Sequence, residues 1–320
     1  MKGKHRIIVQ NNRLHYEMEI KRNITVIQGD SATGKTSLVD MVRSYSRLGE
    51  ESGITISCDV PVKVLEGPEW EIVLDATANS IIIIDEGNSF ITSKKFAEKI
   101  KATDNYYVII TRENLYQLPY SVEEIYGMHS SGKYQDTRRV YNQLYNIYSS
   151  EGVGDIKPEC LLIEDSNSGF EFFKALTAGK GCNCISAGGK TKINTCLKKI
   201  NDDKELCVIA DGAAFGAEMQ DVCGLIKKKA NIKLYLPESF EWLVLKSGIV
   251  EINDIKNILD HPEDYISSEK FFSWERFFTS LLVENTIDTP FKYSKGCLNP
   301  VYLHKKNISK IAKELSHIIL

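Results

Sequence analysis

An apolar tetrapeptide, Ile24-Thr25-Val26-Ile27, runs into the octapeptide Gly29-Asp30-Ser31-Ala32-Thr33-Gly34-Lys35-Thr36, and apolar residues resume at helical spacing at Leu38, Val39, Met41 and Val42. This succession constrains the fold more than any other stretch of the chain. The octapeptide fits the pattern G-x-x-x-x-G-K-[ST] without a mismatch, and the pattern works only between a buried strand and the start of a helix. There the backbone N–H groups of the loop and the positive end of the helix dipole face a common point, which favours a polyphosphate. Gly29 and Gly34 allow the tight turn. Lys35 adds a mobile positive charge, and the Thr36 hydroxyl is of the kind that ligates Mg²⁺. The candidate binding loop is therefore Gly29, Asp30, Ser31, Ala32, Thr33, Gly34, Lys35, Thr36 and Ser37.

A second segment, Ser80-Ile81-Ile82-Ile83-Ile84-Asp85-Glu86-Gly87, is a continuous apolar run too short to span a membrane and closed by two carboxylates. It reads as a buried parallel strand with acids at its carboxyl end, where ligands gather in open α/β sheets. A third strand, Tyr106 to Ile110, ends at Thr111-Arg112-Glu113.

Together these segments resemble the Walker A and Walker B motifs of phosphate-loop ATPases. The resemblance implies ATP and Mg²⁺ as cofactors, with Thr36 and Asp85 around the metal, Lys35 on the β- and γ-phosphates, and Glu86 polarising the attacking water. In additional-strand ATPases a polar residue after the third strand senses the γ-phosphate, which points to Thr111 or Arg112. Ile7 to Gln10 and Leu14 to Ile20 flank Asn11-Asn12-Arg13 and read as a hairpin entering this unit, as in ATPases related to the ABC and SMC groups. No LSGGQ-type signature lies between Lys35 and Asp85. Ser130-Ser131-Gly132-Lys133 reads instead as a hairpin turn between strands at Val122 to Met128 and Arg139 to Tyr148.

Periodicity breaks at Ser149 to Asp155, with Pro158 behind it, and a domain boundary is expected there. Beyond it, runs at Leu161 to Ile163, Asn183 to Ser186, Leu206 to Ala210 and Ile232 to Leu236 alternate with helical patterns at Phe170 to Leu176, Lys192 to Ile200 and Ala217 to Lys229. This alternation predicts a parallel sheet covered on both faces. Ile163-Glu164-Asp165, Gly188-Gly189-Lys190, Asp211 and Glu238-Ser239-Phe240-Glu241-Trp242-Leu243 resemble, in order, the elements of a Toprim domain, the module of topoisomerases, primases and OLD-family nucleases. The resemblance runs from Leu161 to Leu245 and implies Glu164 and Asp211 as metal ligands. Ala213 stands where the second Asp of D-x-D belongs, Ser168 where the first motif places an acid, and Asp165 in the usual Gly position. A Toprim-like unit with fewer acids binds Mg²⁺ less well.

The expected fold is thus α/β: a phosphate-loop NTPase domain over 1–150, a smaller parallel Toprim-like α/β domain over 158–250, and a helical C-terminal segment over 251–320 packing on the second domain. Phe271, Phe272, Trp274, Phe277 and Phe278 read as a buried helix face. With 40 basic and 43 acidic residues the net charge of -3 gives no global pull toward nucleic acid or anionic membrane. Eight scattered cysteines, Cys182-Asn183-Cys184 being the one close pair, look like reduced thiols, and the N-terminus does not read as a signal peptide. The expectation is a cytoplasmic ATPase of OLD-like domain order, with no membrane partner, the alternatives being a regulatory NTP-binding partner protein without nuclease activity and an active metal-dependent OLD-like nuclease. DNA, a partner protein and further copies of the chain in a homo-oligomer are the partners this resemblance leaves open, and DNA metabolism or defence against foreign DNA is the setting it implies.

Overall fold

A computed structural model describes residues 1–29, 33–130, 139–148, 155–200 and 204–320. The chain is an α/β protein made of two compact units, Met1–Tyr148 with Glu263–Ser273, and Ser149–Pro262 with Trp274–Leu320. The 251–320 segment is divided between them. The expected hairpin turn after Ser130 and most of the expected boundary at 149–155 lie outside the described residues.

The first unit runs β1 (His5–Gln10), β2 (Leu14–Ile20), β3 (Ile24–Ile27), α1 (Lys35–Leu48), β4 (Thr55–Ser57), β5 (Val62–Val64), α2 (Trp70–Asp75), β6 (Ile81–Ile84), α3 (Lys94–Ile100), β7 (Tyr106–Ile110), β8 (Ile125–Ser130) and β9 (Val140–Asn146). The strands form one mixed sheet in the order β4-β1-β2-β9-β8-β3-β7-β6-β5. Asn11 makes the β1–β2 turn, its side-chain oxygen accepting from the N–H groups of Arg13 and Leu14 at 2.8 and 2.7 Å. β1 pairs antiparallel with β2 and β8 antiparallel with β9, whereas β8, β3, β7, β6 and β5 are parallel. All residues of β3, β6 and β7 are buried, as a parallel strand covered on both faces requires. On one face Leu38, Val39, Met41 and Val42 of α1 pack with Ile27, Ile81, Ile83, Val108 and Ile110. Full burial of such a side chain is worth about 1.5–3 kcal/mol. On the other face Phe96 of α3 meets Tyr107 edge-on at 6.2 Å. The returning segment is tied in by backbone acceptors: the Asn23 amide donates to the carbonyls of Ser268 and Phe271, both at 3.2 Å.

Glu124, just before β8, is fully buried, accepts from Thr25 Oγ1 at 2.8 Å and lies 3.6 Å from Arg22 Nε. Burial lifts its carboxyl from 4.5 to about 7, against the opposing pull of Arg22. The folded state therefore holds this proton more tightly than the unfolded chain. Its contribution to stability is complete below the unfolded value and is lost as pH rises through the folded one. The melting temperature is expected to fall between about pH 5 and about pH 8, and Glu124→Gln to flatten that fall. An unchanged slope in the variant would contradict the assignment.

The second unit contains β10 (Cys160–Ile163), α4 (Ser168–Thr177), β11 (Asn183–Ser186), α5 (Lys190–Lys199), β12 (Leu206–Ile209), α6 (Met219–Ile226), β13 (Ile232–Tyr235) and α7 (Phe240–Lys246). Then follow α8 (Ile255–Asp260), α9 (Pro262–Tyr265), which opens the segment belonging to the first unit, and, in the second unit again, α10 (Trp274–Glu284) and α11 (Lys305–Ala312). The four strands are parallel, in the order β11-β10-β12-β13, with the two central ones buried throughout. Trp274, Phe277 and Phe278 of α10 are buried, so these aromatics belong to a core, while Phe271 and Phe272 fall in the segment that returns to the first unit. Among the described residues no helix is long and apolar enough to cross a membrane.

Candidate functional sites

In the first unit the register gathers the singled-out residues at one sheet edge. Ile27 pairs with Ile110, and Ile84 with Ile109, so the chain after β3, after β6 and after β7 emerges at the same level. Gly34 precedes α1 in the left-handed region, at φ 90°, and the first turn of α1 carries no acidic side chain. An anion there meets the helix N-terminus without a competing carboxylate. Asp30, Ser31 and Ala32 lie outside the described residues.

Lys35 is buried and its ammonium donates to the Gly29 carbonyl at 3.0 Å and to Thr33 Oγ1 at 2.8 Å, so it folds across its own loop. Asp85 accepts the Glu86 N–H on Oδ1 at 2.8 Å. Among the described residues the Thr36 hydroxyl and Asp85 Oδ2 make no side-chain hydrogen bond, and both are oxygens of the kind that Mg²⁺ takes as ligands. Glu86 is met by Arg112, Nε to Oε2 at 3.1 Å and Nη2 to Oε1 at 3.4 Å. Thr111 is buried beside the end of β3: its N–H donates to the Ile27 carbonyl at 3.1 Å and its Oγ1 accepts from the Glu113 N–H at 3.0 Å. Glu86, Thr111 and Arg112 line a cleft of about 340 Å³ with Asn88, Ser89 and Thr92. A roomier groove of about 630 Å³ lies along the far half of α1, beside Arg43, Arg47 and Lys63, and includes no residue of the loop.

Tyr16 was not legible as a site residue. From β2 its buried phenol donates to the Gly34 carbonyl at 2.9 Å. A Cβ on Gly34 would lie 3.0 Å from the phenol oxygen, so the close approach and the positive φ both require glycine. Tyr16→Phe removes one donor to the loop. It is expected to weaken ATP binding roughly fivefold, the scale of one net hydrogen bond, with the melting temperature little changed. Unaltered affinity in a titration would remove Tyr16 from the site.

In the second unit Glu164 and Asp211 follow the neighbouring strands β10 and β12, whose last residues Ile163 and Ile209 pair. The structure brings them together: Glu164 Oε2 accepts the Asp211 N–H at 3.0 Å, and Asp211 Oδ1 accepts the Phe240 N–H at 3.2 Å. Burial, then the charges of Glu275, Glu164 and Glu241, push the Asp211 carboxyl well above the usual range, and burial raises Glu164 as well. Asp165 accepts the Phe170 N–H at 2.8 Å near the start of α4. Gly212 crosses so close to the end of β13 that a Cβ would lie 2.6 Å from the Leu236 carbonyl. The cavity against Glu164, Asp165 and Asp211 is about 20 Å³, room for one water and not for a hydrated Mg²⁺ with a phosphodiester. Among the described residues no three Asp, Glu, His or Cys side chains are grouped to hold a metal. The implied ion therefore does not fit this arrangement.

Glu241, at 1 % exposure, accepts from the Tyr293 hydroxyl at 2.8 Å, and Lys295 makes an ion pair with Glu275. Glu275 and Lys295 were missed from sequence because they lie far downstream in no recognisable spacing. The available signal was an acid set among the aromatics Trp274, Phe277 and Phe278. No protein-family model matches this chain, and no curated protein is significantly similar to it.

Proposed function

We propose that this chain binds ATP at the loop between β3 and α1 and hydrolyses it. The observation that carries the reading is the position of β7 between β3 and β6, which sets the glycine-bounded loop, the Asp85-Glu86 pair and Thr111-Arg112 at one sheet edge. That order supports the resemblance to additional-strand ATPases. Lys35 leaves its loop partners to neutralise the β- and γ-phosphates. Thr36 and Asp85 would hold Mg²⁺, which would offset negative charge on the phosphate oxygens. Glu86, oriented by Arg112, polarises the water that attacks the γ-phosphorus, and the bond to the β-γ bridging oxygen breaks to leave ADP and phosphate. Thr111 stands nearest the end of β3 as the γ-phosphate contact.

The second unit is read as a degenerate Toprim-like domain, which by analogy alone assigns the chain to DNA metabolism or defence against foreign DNA. Its parallel alternation and the meeting of Glu164 with Asp211 support that reading. The test of the whole proposal is steady-state phosphate release from ATP in Mg²⁺ by the full chain, with and without DNA. Release that depends on Mg²⁺ is expected, and release indistinguishable from that of Lys35→Ala would overturn it.

A further inference from the structure

The acids at the carboxyl end of the second sheet face a strap of chain, Tyr293 to Lys295. The Tyr293 hydroxyl binds Glu241 at 2.8 Å, Ser168 Oγ donates to the Ser294 carbonyl at 2.7 Å, and the Ser168 N–H donates to the Lys295 carbonyl at 3.3 Å. Downstream, the Leu298 N–H donates to Glu171 Oε2 at 2.8 Å. These four bonds fix the strap on α4 and α7, and the Lys295 ammonium pairs with Glu275. The second carboxylate oxygen of Glu241 is buried with no hydrogen-bond partner. A buried polar oxygen left so costs free energy that a nearby donor or cation offsets.

We propose that Lys295 is the resident cation of this acidic centre, occupying by its ammonium the electrostatic place of a divalent ion and closing the second unit to Mg²⁺ and Mn²⁺. Three features carry this. The strap pairs Lys295 with Glu275, whose charge acts on the lysine together with those of Glu241 and Asp211, and Glu164 meets Asp211 through its backbone N–H. Each of these four already accepts a bond from protein: Glu164 from a backbone N–H, Asp211 from another, Glu241 from Tyr293 and Glu275 from Lys295. The space beside Glu164 and Asp211 admits a single water. Although burial works against its charge, the fields of Glu241, Glu275 and Asp211 raise the affinity of Lys295 for its proton, so the ammonium stays charged across the physiological range. Ser168 thus has a role where the metal-binding pattern would place an acid: it anchors the strap that carries the lysine.

The experiment is Mn²⁺ titration of the full chain without nucleotide, followed by the paramagnetic resonance signal of free Mn²⁺. Wild type is expected to take up no Mn²⁺ that Asp211→Asn abolishes; such uptake overturns the proposal. Lys295→Met keeps the length and removes the charge, and is expected to gain one site about tenfold tighter than any in wild type, lost again when Asp211→Asn is added. A folded Lys295→Met chain that gains none also overturns it. If Lys295→Met is unfolded in chelator, Mn²⁺ is expected to restore its circular dichroism and Lys295→Arg to fold without metal; failure of either result counts against the proposal. None of these outcomes depends on the phosphate loop.

Discussion

Lys35→Ala is expected to lose ATP affinity by at least about a hundredfold. Its ammonium is held 2.8 to 3.0 Å from Thr33 and Gly29 at the mouth of the loop, where α1 begins with no acid in its first turn. A triphosphate there needs compensation that the backbone N–H groups supply only in part, and a charge-assisted bond in a partly enclosed site is worth well above a neutral one. Removing the side chain also frees the two acceptors, so a small rise or fall in melting temperature accompanies the loss. The check is equilibrium dialysis with labelled ATP. Affinity within about threefold of wild type would remove Lys35 from the site.

Glu86→Gln separates binding from chemistry. The side chain is half-exposed, sits beyond the end of β6 and is gripped by two donors of Arg112. Glutamine keeps the shape but loses the charge that the proposed mechanism uses to polarise water. Turnover is expected to drop by about 10²–10³-fold while ATP affinity changes little. Single-turnover phosphate release, alongside the dialysis measurement, distinguishes this from a binding defect. Equal loss of affinity and turnover would make Glu86 a binding group, and undiminished turnover would assign the water to another residue.

The elements most legible in the sequence were those whose burial pattern is local. β6 and β7 are unbroken apolar runs bounded by polar turns, β3 departs from this only at Thr25, and the two central strands of the second unit repeat the signal between helical stretches. The β1–β2 hairpin was marked by Asn11, whose side chain does form the turn. β4 and β5 were not legible, being three residues each and at most half-buried, with too few positions to show a period. The insertion of β7 between β3 and β6, the parallel pairing of β2 with β9 and the return of Glu263–Ser273 to the first unit are non-local choices that no window of sequence encodes.

The candidate sites show the same division. The loop, Asp85, Glu86, Glu164 and Asp211 stand at strand ends and were found by motif. Tyr16 acts through a contact eighteen positions away, and Glu275 and Lys295 reach the second centre from the helical C-terminal segment. Ser168 was noticed for lacking a carboxylate, whereas its hydroxyl and N–H hold a strap from far along the chain.

The most direct test of the central claim is calorimetric titration of the full chain with ATP in Mg²⁺. The account predicts one saturable site per chain, present in Glu86→Gln and absent in Lys35→Ala. No saturable heat at millimolar ATP, or an isotherm identical in wild type and Lys35→Ala, would contradict it.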